Sequence, residues 1–258
     1  MHKIPFFNYP ALFEQRETEY LEVVNSVLKK GAYIMQQELF DFEDELASYL
    51  GVNHAIGVAD GTMALLISLM AAGVGDGDEV IVPSHTFVAS AAAINHVGAK
   101  PVLVECAKDH LIDHESIKTA ITSKTKAIMP VQLNGRVANM DPVIALAKKH
   151  GLLIVEDSCQ ALGAKFDNNY AGTFGVAGTF SFFPAKTLGC FGDGGGIITN
   201  DSDIADKVRM IRDHGRNPID GKVKLFGFNG RLDNLHAAIL GFKMKYYDFL
   251  IPQVIIND

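Results

Sequence analysis

The chain has too few cysteines for a disulfide framework, no excess of basic residues and no long apolar run. Cys106, Cys159 and Cys190 are odd in number and widely spaced, which gives neither a disulfide pattern nor the paired spacing of a zinc site. Twenty-three Lys and Arg against 30 Asp and Glu leave a net charge of −7. An acidic chain without basic runs is a poor match for nucleic acid or an anionic membrane. No apolar stretch reaches the ~18–20 residues of a membrane span, and Met1-His2-Lys3-Ile4-Pro5 lacks the apolar core of a signal peptide. Repeats, low-complexity tracts and Gly/Ser-rich linkers are missing as well. What remains is ordinary globular composition, 48% hydrophobic and 21% charged. The expectation is a soluble, reduced, cytoplasmic protein of one large domain, or one and a fraction, with a sizeable core.

Strand-like and helix-like patterns alternate along most of the chain. Phe42, Leu46, Tyr49 and Leu50 recur at helical spacing, and Gly51 follows as a stop. Ala55 to Ala59 is a short apolar run before a helix over Thr62 to Ala72. Strands are expected over Glu79 to Pro83, Pro101 to Val104, Ala127 to Leu133, Leu152 to Val155, Gly178 to Phe183 and Gly196 to Thr199. Helices are expected over Val88 to Val97, Asp113 (as cap) to Ile121, Asp141 to His150, Ala205 to Asp213 and Leu232 to Lys245. Strands apolar on both faces and separated by helices imply a mostly parallel sheet between two helix layers. In such sheets ligands bind beyond the carboxyl ends of the strands. Attention therefore falls on Asp60-Gly61-Thr62, Pro83 to Phe87, Gln132 to Gly135 and Glu156 to Gln160.

Three segments could carry chemistry. In Asp60-Gly61-Thr62-Met63-Ala64 a glycine turns the chain into a helix whose free N–H groups suit a phosphate; Thr62 also fits an ordinary N-cap. Glu156-Asp157 follow a fully apolar strand, where a carboxylate needs a cationic partner or else caps the next turn. Lys186 sits among aromatics and glycines, in Phe180 to Gly189 followed by Gly192 to Gly196. It is a solvated surface charge or, held in an apolar site, a Schiff-base nucleophile. The glycines are no Walker loop, since no G-K-[ST] closes them, and Gly73 to Gly77 precede a strand instead of following one. His110 to His114 has a metal-like spacing, but Asp113 reads better as a helix cap. Cys159 and Cys190 have no adjacent histidine to make either a nucleophile. His214-Gly215-Arg216 reads equally well as a substrate contact or as a helix C-cap.

With the Gly61-Thr62-Met63-Ala64-Leu65, Val82 to Phe87, Val155 to Ala161, Phe180 to Gly196 and Asn229 to Leu235 segments in this order, the sequence resembles the DegT/DnrJ/EryC1/StrS sugar aminotransferases. These are pyridoxal 5′-phosphate (PLP) enzymes of fold type I, and the resemblance runs from about Phe6 to Tyr247. It implies a PLP-binding large domain over 1–248, with an N-terminal helical segment over 1–50. The apolar tail 249–258 would begin a small C-terminal domain that is otherwise absent. It implies that Lys186 forms the Schiff base with PLP and moves the proton, and that Asp157 pairs with the pyridine nitrogen. Gln160 would lie near the ring hydroxyl and Phe87 would stack on the ring, with His85 as runner-up. Gly61, Thr62 and Ser181 would hold the phosphate, with Met63 beside them where relatives carry a polar residue. Asn229 would reach the phosphate of a second subunit, making the site that of a homodimer. The implied reaction moves an amino group from an amino acid, usually glutamate, to a keto nucleotide sugar. Dehydratase relatives have histidine in place of the lysine, so Lys186 favours transamination. Gln132 and Asn134 stand where many relatives have histidine and an aromatic. Two other readings are a truncated, inactive dimer-forming module and an unrelated nucleotide-binding α/β enzyme using Asp157 for ribose or metal.

Overall fold

Alternating apolar patterns and glycine stops fold the chain into helices and strands in the order expected. The computed structural model describes residues 5–248; the expected apolar tail at 249–258 lies outside them. Three helices come first: α1 (Tyr9–Glu14), α2 (Glu17–Lys30) and α3 (Gln37–Leu50). The sheet region then runs β1 (His54–Val58), α4 (Gly61–Ala71), β2 (Glu79–Pro83), α5 (Val88–His96), β3 (Lys100–Val104), α6 (His114–Ala120) and β4 (Thr125–Ile128). It continues with α7 (Met140–His150), β5 (Leu153–Asp157), the small hairpin β6 (Lys165–Phe166) and β7 (Asn169–Tyr170), then β8 (Ala177–Ser181) and β9 (Gly195–Thr199). Helices α8 (Ser202–Ile211) and α9 (Asn234–Met244) complete it.

Seven strands form one sheet in the order β1-β9-β8-β5-β4-β2-β3. Pairing is parallel from β8 to β3, and β9 is antiparallel to both its neighbours, β1 and β8. The reason is local: the connection between β8 and β9, residues 182–194, carries no helix to return the chain across the sheet. Several expected boundaries shift; the helix expected over Ala205 to Asp213, for one, runs Ser202–Ile211. The strand expected over Ala127 to Leu133 ends at Ile128, and a single 3-10 turn covers Leu133–Gly135. The last helix begins at Asn234, two residues after Leu232.

Adjacent residues of β9 show how the sheet is covered. Ile198 packs with Leu39, Phe42 and Leu46 of α3 and Leu240 of α9. Ile197 packs with Ile67 of α4 and Val208 of α8. Successive side chains of a strand point to opposite faces, so each face has its own helix layer. Helix α4 is buried on most of its circumference, which its run of Ala, Leu and Ile favours. One charged pair lies in this interior: Arg212 and Glu43 are 2% and 7% exposed and bonded to each other. Each also binds Gly57, Arg212 Nη1 donating to its carbonyl at 2.8 Å and Glu43 accepting from its N–H at 2.7 Å. Strand β1 is thereby tied to α3 and to the end of α8. Among the described residues, no helix is long and apolar enough to cross a membrane.

Candidate active site

Strands β1, β2, β4, β5 and β8 all end at one edge of the sheet, and β9 begins there. That edge floors a cavity of about 1310 Å³ whose lining includes Gly61, Thr62, Thr86, Phe87, Asp157, Gln160, Ser181 and Lys186. Seven of the nine residues expected to bind cofactor are thus brought together: Gly61, Thr62, Phe87, Asp157, Gln160, Ser181 and Lys186. Met63 and Asn229 do not line the cavity. Met63 points away, with its Sδ near Gly230. Asn229 accepts from Arg231 Nη2 at 2.8 Å, on the segment that pairs with Asp213.

The turn at the start of α4 is built by Asp60, not by Thr62. Asp60 is extended and its side chain accepts from the Met63 N–H at 2.8 Å, while its carbonyl takes the Ala64 N–H at 2.9 Å. Thr62 is therefore inside the first turn, and the N-cap reading for it is corrected. The Gly61 and Thr62 N–H groups are the donors this cap leaves over, and both residues border the cavity. Two glycines permit the crowding. A Cβ on Gly195 would lie 2.3 Å from the Asp60 carbonyl oxygen, and one on Gly61 would lie 2.8 Å from Ser181 Cβ. Ser181, at the end of β8, is thereby drawn up against the turn.

Asp157 closes β5 and is 5% exposed. Its backbone is clamped by the segment after β4: its N–H donates to Pro130 and its carbonyl accepts from Gln132 N–H, at 3.0 and 2.9 Å. One carboxylate oxygen accepts from Ser90 Oγ at 2.6 Å, the other from the Cys159 N–H at 3.2 Å. Cys159 also lines the cavity; burial first, and then the Asp157 charge, push its thiol well up, so it is no thiolate nucleophile. Glu156 does not cap the next turn. It faces the other side of the sheet, fully buried, and accepts from Gln132 Nε2, Gly172 N–H and Phe174 N–H at 2.9, 2.9 and 2.7 Å. Burial raises its pKa against these donors.

Gln132 is fully buried, and its carbonyl oxygen accepts from Ala138 N–H at 2.8 Å. It supports Glu156 and does not line the cavity. Asn134 does border the cavity, with φ 53°, and its N–H donates to Gln160 Oε1 at 2.9 Å. That leaves the Gln160 amide N–H₂ as the donor on offer. Phe87 lines the cavity while 67% exposed. His85 is exposed beyond the lining, its ring 5.9 Å from that of His110. Lys186 borders the cavity from the glycine-rich connection, its N–H donating to Phe183 carbonyl at 2.8 Å. Sequence reasoning missed Ser90 and Arg136, and gave no role to Asp60 and Thr86 within the segments it singled out; Asp60 had a legible signal, an Asp three residues before the N–H it caps.

Residues 14–253 match the DegT/DnrJ/EryC1/StrS aminotransferase family. The chain is 42% identical over 248 residues to the dTDP-3-amino-3,4,6-trideoxy-alpha-D-glucose transaminase of Streptomyces venezuelae, covering 95% of this chain and 65% of that one. Crystallised S. venezuelae DesV, in complex with a ketimine intermediate, superposes with a TM-score of 0.93 at 41% identity, over 96% of this chain and 67% of that one. NtdA from Bacillus subtilis, with bound cofactor PMP, superposes with a TM-score of 0.90 at 34% identity, over 96% and 57%. The chain spans about two thirds of the length of the curated relatives it matches. From this match along most of its length, and a fold shared with solved members, the chain belongs to the DegT/DnrJ/EryC1/StrS aminotransferase family.

Proposed function

We propose that this protein binds PLP at Lys186 and moves an amino group from an amino acid, glutamate in the first instance, to a keto nucleotide sugar. The observation that carries the reading is Asp157: a buried carboxylate on the cavity floor, with no cation bonded to it among the described residues. A buried carboxylate needs such a partner, and a protonated pyridine nitrogen supplies one. The rest of the cavity fits the same group. The donors at the start of α4 and Ser181 suit its phosphate, Phe87 suits its ring face, and Lys186 suits its aldehyde.

PLP, when bound, supplies an electron sink for the carbanion formed at the substrate's amino-bearing carbon. Asp157 keeps the pyridine nitrogen positively charged. Lys186 Nζ would be the group that takes the proton from that substrate carbon and holds it beside the bound cofactor. The N-terminus of α4 holds the phosphate dianion by its free N–H groups and dipole. Gln160 donates its amide beside the ring, and Phe87 covers one ring face against water. Met63 brings no polar group to this set, and Asn229, outside its own chain's cavity, serves the site of a second copy in a homodimer. The three free cysteines suit a cytoplasmic setting.

The test is to incubate the protein with PLP, reduce with borohydride and map the adduct by peptide mass. A pyridoxyl group on Lys186, lost in Lys186→Ala, is expected, and glutamate added before reduction is expected to abolish it by converting the cofactor to its amine form. A folded protein with no adduct, or one on another lysine, would overturn the proposal.

A further inference from the structure

Six of the nine residues of helix α5 are Val, Ala or Ile, yet it carries a fully buried serine at Ser90. A serine inside a helix ordinarily bonds back to the carbonyl three or four residues earlier. That acceptor is present here, the Phe87 carbonyl at 3.2 Å. The Asp157 carboxylate is nearer, at 2.6 Å. A hydroxyl has one proton to give, and the shorter bond to the charged oxygen takes it. Thr86 Oγ1 stands 2.7 Å from Ser90 Oγ on its other side and borders the cavity. The three groups form a chain in which Thr86 donates to Ser90 and Ser90 donates to Asp157.

Resting on the PLP reading above, we propose that Ser90 is the positioning residue that fixes the rotamer and charge of Asp157 toward the cofactor's pyridine nitrogen. Two donors reach this carboxylate, one at each oxygen, the Cys159 N–H and the Ser90 hydroxyl. Only the second is a side chain and open to substitution. The ionisable groups around Asp157 are Cys159 and Lys186, both lining the cavity; Glu156 faces the opposite side of the sheet. With Ser90 removed, Asp157 lacks a donor and draws the ring proton toward itself. A less positive ring then binds less tightly and holds the proton of the Lys186 linkage more firmly.

The experiment titrates the 258-residue chain with PLP and follows the visible absorbance of the Lys186 linkage against pH. Ser90→Ala is expected to bind PLP about tenfold more weakly, the scale of one hydrogen bond to a charged group. It is also expected to raise the midpoint of the absorbance titration by about half a unit. Ser90→Thr restores both. Ser90→Cys, of similar size and a weak donor, carries the same comparison if the alanine variant does not fold. Folded Ser90→Ala or Ser90→Cys with wild-type affinity and midpoint would overturn the proposal while leaving the PLP reading intact. Wild-type protein without the absorbance, or Lys186→Ala that keeps it, would remove the PLP reading and this proposal together.

Discussion

Replacing Gly195 by alanine tests the packing that places the turn at the start of α4. The added Cβ would lie 2.3 Å from the Asp60 carbonyl oxygen and 3.0 Å from the Gly61 nitrogen. Both atoms are backbone, so no flexible side chain can give way. Restoring an ordinary contact of ~3.4 Å requires the turn and β9 to separate by about 1 Å, a strain in the range of ~1–3 kcal/mol for an overpacked core. For a chain of this size each kcal/mol lowers the melting temperature by roughly 2–4 °C, so the expected loss is about 2–12 °C. Because the Gly61 and Thr62 N–H groups move with the turn, PLP affinity should fall by roughly tenfold or more. Gly75→Ala is the control, since its Cβ would meet only the Val97 carbonyl oxygen, at 3.8 Å. Thermal unfolding and a PLP absorbance titration read the two effects. If Gly195→Ala melts within about 1 °C of the Gly75→Ala control and binds PLP equally well, the close approach does not position the turn and the reasoning fails.

Two further predictions concern charges away from the cavity. Arg212→Met should destabilise the protein by ~3–5 kcal/mol in urea, because it leaves Glu43 charged and buried; a second change, Glu43→Leu, should recover much of that loss, and an Arg212→Met loss below ~1 kcal/mol would show the pair to be dispensable. Lys30 and Asn234 hold the Glu38 carboxyl down at about 2, from its ordinary 4.5. A lowered value stabilises the fold above the unfolded value and is lost as pH falls through the folded one. The urea midpoint should therefore drop between about pH 4.5 and 2, and Glu38→Gln should flatten that part of the curve; an unchanged slope would refute it.

Most of the sheet was legible because its strands are short apolar runs closed by Pro, Gly or an acid, and that pattern is local. Pro83 marks a strand end that the structure confirms, while β5 runs two residues past the expected Val155 to Asp157 and β8 stops two residues short of the expected Phe183, at Ser181. The segment Met129 to Leu133 was read as strand because it is apolar, but its burial serves a different purpose. Met129 donates to Ile81, and Pro130 and Gln132 clamp the backbone of Asp157. Gln132 stood out in the sequence as a departure at the substrate site. Its amide in fact spans from Glu156 to the Ala138 N–H, partners 24 and 6 residues away. Ser90 was illegible for the same reason: its partner is 67 residues distant, and nothing in an alanine-rich helix announces it. Local pattern reveals where strands end. It does not reveal which buried polar group holds which.

The two adjacent acids of β5 have a consequence for how this segment can vary. Glu156 anchors the Gly172–Phe174 loop on one side of the sheet, and Asp157 reaches Ser90 and the cavity on the other. A slip of one residue exchanges the faces of every side chain in a strand. Moved one place along, Glu156 would stand where Asp157 now is and Val155 where Glu156 now is, with net charge unchanged. The loop would lose an acceptor already set among three donors, and the cavity would receive a carboxylate seated one residue out of line. One apolar residue inserted between Leu153 and Glu156 would therefore leave the net charge as it is and still break both sides of the sheet at once.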